Sequence, residues 1–307
     1  MTRKFSEILP EIISPGEFKK DIQQEGEPCM KKGKITTILL LVIFLAGLSL
    51  LLYPTVSNFW NSLHQSRAIV DYTQQVEEMG QQEYDDMWAA AEAYNQSLAE
   101  NPDRFTMSRE EKERYKGLLD ISDTGMMGYL DIPSIHVSMP IYHTTEEGIL
   151  QVAAGHLEGS SLPTGGAGTH CVLSGHRGLP SARLFTDLDQ MEEGEVFTLR
   201  ILNRTMTYQV DQILIVDPYD MEPLAIDPDQ DYCTLVTCTP YGINTHRLLV
   251  RGHRIPNLES EEETPADVEV ISGDALVLIG IAAVVLFLLA ALLIWKRIHS
   301  HKRGKWK

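Results

Sequence analysis

Two long, uncharged apolar segments constrain this chain more than any other feature of its sequence. Residues 35–53 and 275–295 are almost wholly apolar, and as helices they would extend about 28 Å and about 31 Å, close to the hydrocarbon thickness of a bilayer. A cleaved signal peptide is the alternative for the first segment, but the residues after Tyr53 lack a small-x-small cleavage site. We therefore expect two transmembrane helices.

Basic residues lie at the outer end of each apolar segment. Three lysines fall within residues 31–34, and residues 296–307 carry six Lys or Arg and no acid. Because positive charge is retained on the cytoplasmic side, both termini are expected in the cytoplasm, with residues 54–274 outside the cell. The sequence thus predicts a two-pass protein of the cell membrane with an extracellular domain.

The rest of the chain divides by composition. Residues 1–34 contain several prolines and no periodic apolar face, so we expect a disordered cytoplasmic lead, within which Met30 is an alternative start. The other predicted parts are an extracellular helical region at residues 54–124, a β-domain at 125–256, an acidic linker at 257–274 and a basic cytoplasmic tail at 296–307.

The part between the two basic clusters is strongly acidic. The formal net charge of the chain is −17, and residues 35–295 carry 13 Lys or Arg against 37 Asp or Glu. An acidic surface of this kind excludes nucleic acid as a partner. A basic protein substrate fits it, although solubility alone also explains such a charge.

Helical patterning precedes the β-domain. Residues 56–100 are rich in Gln, Glu, Ala and aromatics, with Gly80 as their one breaker, and predict a helix in two pieces. Ser108 followed by acidic residues is typical of an N-cap, so a short further helix is predicted from there to about Leu119.

Beyond Gly125, short β-branched or alternating runs separated by turn residues predict seven or eight strands. A set of short strands of this kind is typical of a closed or nearly closed β-barrel, so the fold is expected to be mainly β, with about eight strands. Residues 150–155 and 182–188 predict short helices. The predicted strands are residues 128–132, 136–142, 169–174, 196–202, 207–216, 232–237 and 246–255.

Three reactive side chains are predicted at strand ends. Residues 234–237 are β-branched or apolar and Pro240 cannot continue a central strand, so Cys238 ends its strand. His176 lies between glycines after another apolar run, and Arg247 opens a strand after a turn. A thiol, an imidazole and a guanidinium on three strand ends can meet at one rim of a barrel, which indicates acyl transfer.

Other roles for the cysteines and histidines are weaker. Cys171 and Cys233 are predicted to be buried apolar thiols, and His156 and His170 to be structural. A zinc site is the next alternative because His170 and His176 lie near Cys171 in the sequence. However, the chain has no Cys-x-x-Cys or His-Glu-x-x-His spacing. Neither a metal nor another cofactor is therefore expected.

Four motifs occur here in the order in which one known family carries them. Residues 234–238 read Thr-Leu-Val-Thr-Cys, which matches the Thr-Leu-x-Thr-Cys signature of the sortases. Residues 155–163, 179–182 and 242–252 match further sortase motifs. On these residues the chain resembles the class C, or pilin-polymerising, sortases over roughly residues 94–255.

The resemblance implies a cysteine transpeptidase on a sortase-like β-barrel, with His176, Cys238 and Arg247 as its catalytic residues. The expected substrates are pilin or surface proteins with a Leu-Pro-x-Thr-Gly-like (LPxTG-like) sorting signal, cleaved between Thr and Gly. The acyl group would then be joined to a lysine amine of another pilin subunit. The alternatives are a housekeeping-type sortase, which attaches proteins to a cell-wall precursor, and a non-catalytic assembly factor on the same barrel.

One stretch departs from the family pattern. Most class C sortases cover the active site with a lid that carries an Asp-Pro-aromatic motif, whereas residues 102–105 here read Pro-Asp-Arg-Phe. Because the motif is altered, we expect a less occluded site than the lidded members of the family have.

Overall fold

The computed structural model describes residues 28–257 and Phe287. The chain divides into two compact units, Met1–Pro54 and Thr55–Lys307. Most of the predicted cytoplasmic lead, the linker beyond residue 257, the second apolar segment apart from Phe287, and the basic tail lie outside the described residues.

The first helix, α1 (Pro28–Glu78), contains the first predicted membrane segment. In that segment Leu50 and Leu51 expose 77% and 73% of their surface. Within the described part of the chain, α1 is the one helix long and apolar enough to cross a membrane. Apolar side chains exposed over several turns are those that a bilayer would cover.

Two further helices follow, as predicted. Gly80 separates α1 from α2 (Gln81–Ala99), and Ser108 caps α3 (Arg109–Lys116). The Ser108 hydroxyl accepts a hydrogen bond from the Glu111 backbone N–H at 3.2 Å, while Glu111 Oε2 accepts one from the Ser108 N–H at 2.7 Å. This reciprocal pair satisfies two backbone donors that the first turn of a helix leaves free.

The β-domain is a closed barrel of eight strands, which confirms the predicted fold class. The strands run in the order β1-β2-β3-β4-β7-β8-β6-β5, and β5 pairs with β1 to close the barrel. The β2–β3 and β4–β7 pairs are parallel, and the other pairs are antiparallel. The strands are β1 (Met126–Ile132), β2 (Val137–His143), β3 (Ala154–His156), β4 (Thr169–Ser174), β5 (Val196–Ile201), β6 (Arg204–Val216), β7 (Asp231–Thr239) and β8 (His246–Ile255).

Of the two short helices predicted within this domain, the first is wrong in extent, and the second is replaced by a turn. Residues 150–155 contain only the end of α4 (Glu147–Leu150), followed by a turn and the start of β3. A side chain at Gly155 would place its Cβ 2.4 Å from the Thr144 carbonyl oxygen, so only glycine allows this close pairing. In place of the helix predicted at 182–188, residues 184–187 form a turn that leads into a 3-10 turn at Leu188–Gln190.

The barrel interior and part of its outer surface carry separate apolar clusters. Leu173, Leu235 and Val250 are fully buried inside. On the outside of β4, β7 and β8, Val172 and Leu249 belong to a smaller cluster, against which Val236 packs. Side chains two positions apart on a strand point to the same face of the sheet. The residues two positions beyond this cluster on β7 and β8 therefore also lie on the outer face. The next residues on that face form the candidate site.

Candidate active site

The barrel brings Cys238, His176 and Arg247 to one end of three neighbouring strands. Cys238 on β7 lies directly opposite Arg247 on β8. On the other side of β7, Ser174 of β4 pairs with Val236, and the two strands run in parallel. Two residues beyond Ser174, His176 follows the end of β4, and two residues beyond Val236, Cys238 is the second-last residue of β7.

Cys238 and Arg247 also share one face of the sheet. Cys238 lies two residues beyond Val236, and Arg247 lies two residues before Leu249, both of which pack in the outer apolar cluster. Because alternate residues of a strand point to the same side, Cys238 and Arg247 project from the outer face of the barrel at its rim.

Two hydrogen bonds join the backbone before His176 to the strand before Cys238. The Gly175 N–H donates to the Val236 carbonyl at 3.0 Å, and the Thr237 hydroxyl donates to the Gly175 carbonyl at 2.8 Å. Thr237 is buried, with 2% of its surface exposed, so its hydroxyl acts away from bulk water. The relative position of the imidazole and the thiol therefore depends on both bonds.

A buried aromatic side chain supports the same loop from inside. Phe185 is fully buried, and its N–H donates to the His176 carbonyl at 3.1 Å. A Cβ at position 175 would lie 2.5 Å from the Phe185 ring, a distance that no side chain tolerates. Gly175 is thus required for the ring to pack beneath His176.

The loop after His176 contacts the turn after Cys238. The Arg177 guanidinium lies 5.7 Å from the centre of the Tyr241 ring and forms an ion pair with Asp189. Gly178 has φ +78°, and a Cβ there would lie 2.9 Å from the Tyr241 ring. These contacts hold the loop and the turn against each other beside the candidate site.

A carboxylate that no sequence motif marks lies beside the histidine. Glu147 Oε2 is 3.5 Å from His176 Nε2, and Glu147 Oε1 accepts a hydrogen bond from Gln151 Nε2 at 3.1 Å. The bond from Gln151, and next the charge of His176, lower the pKa of Glu147 below its ordinary value. Only knowledge that α4 leads into β3, which pairs with β4, could have predicted this contact.

The three described cysteines differ in exposure. Cys171 and Cys233 lie opposite each other on β4 and β7 and are buried, which confirms their predicted burial. Burial raises the pKa of Cys233 well above its ordinary value, so this thiol stays protonated. Cys238 is only partly buried and is the thiol of the three that a substrate can reach.

Arg247 and Arg251 lie on the same face of β8 but in different surroundings. Arg251 forms two 3.1 Å hydrogen bonds with the Asp211 carboxylate, and its guanidinium lies 4.2 Å from the centre of the Tyr232 ring. Within the described chain, Arg247 donates hydrogen bonds only through Nη1. Its acceptors are the His246 carbonyl at 3.1 Å and the Asn244 carbonyl at 3.5 Å. Arg247 therefore has donors available for a ligand.

The two histidines predicted to be structural are buried and hydrogen-bonded. His156 contacts the Tyr115 hydroxyl and the Ser161 carbonyl, each at 2.8 Å. His170 contacts the Ala225 carbonyl at 2.8 Å and the Thr234 hydroxyl at 2.7 Å, and burial lowers its pKa to about 4. Residues 28–257 contain no group of three or more His, Cys, Asp or Glu side chains arranged to hold a metal.

The stretch that replaces the family's lid motif packs elsewhere on the barrel. Arg104 is buried and donates to the Leu224 carbonyl at 2.7 Å. A Cβ at Gly159 would lie 2.4 Å from the Arg104 carbonyl oxygen and 3.0 Å from the Phe105 Cα. In the described chain, no hydrogen bond or ion pair joins residues 101–107 to the three candidate catalytic side chains.

Comparison with known proteins gives a family-model match and a curated relative. The sortase-domain model matches residues 130–255. Sortase A of Streptococcus agalactiae is 28% identical over 130 residues, which are 41% of this chain and 52% of that protein. The chain thus matches about half the length of this relative.

Solved structures of higher identity match a larger share of the chain. Sortase C1 of Streptococcus agalactiae is 52% identical with a TM-score of 0.60, and the match covers 62% of this chain and all of that one. Sortase C of Streptococcus pneumoniae is 44% identical with a TM-score of 0.56, over 62% and 97% of the two chains. Sortase C of Clostridium perfringens, solved with the C-terminal cell wall sorting motif, is 42% identical with a TM-score of 0.55, and the match covers 62% of this chain and 99% of that one.

Proposed function

The chain belongs to the sortase family, among the class C sortases, and we propose that it is a membrane-anchored cysteine transpeptidase that polymerises pilin subunits. The observation that carries the proposal is the register of three neighbouring strands. It sets Cys238 opposite Arg247 and brings His176 to the same rim. A nucleophile, a proton carrier and an oxyanion donor are the groups that acyl transfer requires.

The proposed substrate is a protein with an LPxTG-like sorting signal. The Clostridium perfringens relative was solved with a C-terminal cell wall sorting motif, and the structure of the Streptococcus pneumoniae relative gives insight into pilin substrate specificity. The strongly acidic central part of the chain suits a basic protein partner. No cofactor takes part in the proposed reaction.

In the first step the Cys238 thiolate attacks the carbonyl carbon of the threonine in the sorting signal. A C–S bond forms, and the carbonyl oxygen takes up the negative charge of a tetrahedral intermediate. The C–N bond then breaks as the His176 imidazolium gives its proton to the departing amine. The products of this step are a thioester on Cys238 and the released C-terminal peptide.

In the second step a lysine amine of another pilin subunit attacks the thioester. The neutral His176 ring accepts a proton from the incoming amine, the new C–N bond forms, and the thiolate of Cys238 departs. The enzyme returns to its starting state, and the two subunits are joined by an amide bond. No net redox change or external reagent is involved.

Arg247 supplies hydrogen-bond donors to the oxyanion of the tetrahedral intermediate. Its guanidinium keeps Nε and Nη2 free of hydrogen bonds within the described chain, and it lies opposite the nucleophile in the strand register. Oriented donors at such a position stabilise the oxyanion more than the ground-state carbonyl, which accelerates the reaction.

The proposed location is the cell membrane, with two passes and both termini in the cytoplasm. The exposed apolar part of α1 supplies the first anchor, and the basic clusters beside residues 35–53 and 275–295 give the orientation. This topology places the catalytic domain outside the cell, where pilins assemble. Membrane lipid is therefore a permanent neighbour of the protein.

The full chain in detergent micelles, incubated with an LPxTG peptide and a pilin segment that contains the acceptor lysine, tests the function. We expect an amide-linked product between threonine and the lysine side chain, identified by fragmentation mass spectrometry. A parallel reaction offers the amine of a cell-wall precursor. Preference for that amine would indicate a housekeeping-type sortase, and no product with either acceptor would contradict a transpeptidase.

A further inference from the structure

We propose that Glu147 is a positioning residue that holds the His176 ring for proton transfer, an inference that rests on the proposed function. The carboxylate would accept a hydrogen bond from Nε2–H of His176. The other ring nitrogen, Nδ1, would then carry the proton that is exchanged with the leaving and incoming amines. The family motifs in this sequence assign no role to Glu147.

The fold fixes Glu147 beside the histidine through the connection from β2 to β3. At the start of this connection, the Thr144 N–H donates to the buried Tyr115 hydroxyl at 3.2 Å. At its end, β3 pairs with β4 by placing Gly155 opposite Ser174, two residues before His176. Helix α4 lies between these two fixed points, so Glu147 is brought to the rim that carries His176.

The two oxygens of the carboxylate have separate partners. Gln151, one turn later, donates to Oε1 at 3.1 Å, and Oε2 lies 3.5 Å from His176 Nε2. Nε2 is shielded from solvent and has no hydrogen-bond partner in the described chain. A small approach of the two side chains would therefore satisfy an otherwise unpaired polar atom.

The chemistry of the imidazole gives this contact a role. When one ring nitrogen donates to a carboxylate, the ring is oriented and its tautomer is fixed. The carboxylate also offsets the positive charge that His176 carries before it protonates the leaving amine. Among the ion pairs of the described chain, neighbouring Arg177 is paired with Asp189, and Glu147 is the anion that contacts the His176 ring.

The test compares Glu147→Ala with the wild-type full chain on two substrates that share one acyl group. The first is the LPxTG peptide, whose amine must be protonated as it leaves, and the second is the corresponding thioester, whose thiolate leaves without a proton. Because Glu147 is 70% exposed, we expect a moderate loss in kcat/KM on the peptide, about fivefold. On the thioester the loss should stay below about twofold.

Glu146→Ala is the matched control, since this neighbouring carboxylate lies 4.0 Å from Lys116 and makes no ion pair with His176. It should leave both rates unchanged. Equal losses of Glu147→Ala on the two substrates, or no loss on the peptide, would overturn the proposal. A wild-type protein inactive on both substrates would instead contradict the proposed function.

Discussion

Replacing Thr237 with valine should reduce activity more than its cost in stability explains. Valine has nearly the same shape but cannot donate to the Gly175 carbonyl, which accepts the threonine hydroxyl at 2.8 Å. Losing a hydrogen bond and leaving a buried acceptor unpaired costs about 2 kcal/mol of unfolding free energy. Because the bond joins the loop of His176 to the strand of Cys238, its loss also shifts the two groups relative to each other. Misplacement by about 1 Å can lower a rate about 100-fold, and we expect at least a tenfold fall in kcat/KM.

The measurements are urea unfolding and kcat/KM for peptide cleavage, with Thr234→Val as the control. Thr234 is equally buried on the same strand, but its hydroxyl contacts His170, away from the site. The two variants should lose similar stability, and only Thr237→Val should lose most of its activity. Equal activities in the two variants would refute the view that this hydrogen bond sets the geometry of the site.

The remaining predictions concern the arginines, acid stability and access. Arg247→Lys should lose most of its kcat/KM at matched stability because a point charge cannot replace the planar donor fork, whereas Arg251→Lys should lose much less; equal losses would mean that the arginine is misassigned. His170 has a folded pKa of about 4, below its unfolded value, so the unfolded chain binds more protons as the pH falls, and about 2 kcal/mol of stability should be lost between pH 7.5 and pH 5. Urea unfolding of His170→Asn at both pH values should show a loss of stability that is smaller by this contribution of His170. A loss equal to that of the wild type would contradict a neutral, buried His170 in the folded protein. Changing Asp103 and Phe105 together to alanine should leave the alkylation rate of the active-site thiol unchanged, and a rise of about tenfold would show that this stretch acts as a lid.

The barrel was predictable because its strands follow local rules. Alternation and β-branched residues mark the long strands, and turn residues separate them. Strand β3 was missed because its three residues, Ala-Gly-His at 154–156, carry no alternating pattern and follow a short helical turn. Its pairing with β2 and β4 is a property of the closed sheet and not of the local sequence.

The candidate site was predictable as a set of residue types but not as a geometry. Cys238 and His176 are marked by the residues around the ends of their strands, since proline cannot continue a central strand and glycine weakens one. The contacts that support them come from distant parts of the chain. Glu147 reaches His176 through a crossover connection, and Thr237 bonds to a carbonyl 62 residues away in sequence. Such pairs depend on strand register, which cannot be read from a single sequence.

The mass of the enzyme after brief incubation with an LPxTG peptide, without an acceptor, tests most directly whether Cys238 is the nucleophile. We expect the full chain to gain the mass of the acyl fragment, with peptide mapping that locates the thioester on Cys238. Cys171 and Cys233 should carry none, because both thiols are buried in the barrel. The Cys238→Ala variant should gain no mass while retaining the wild-type unfolding transition. An adduct on another residue, or undiminished cleavage by the folded Cys238→Ala variant, would contradict the account.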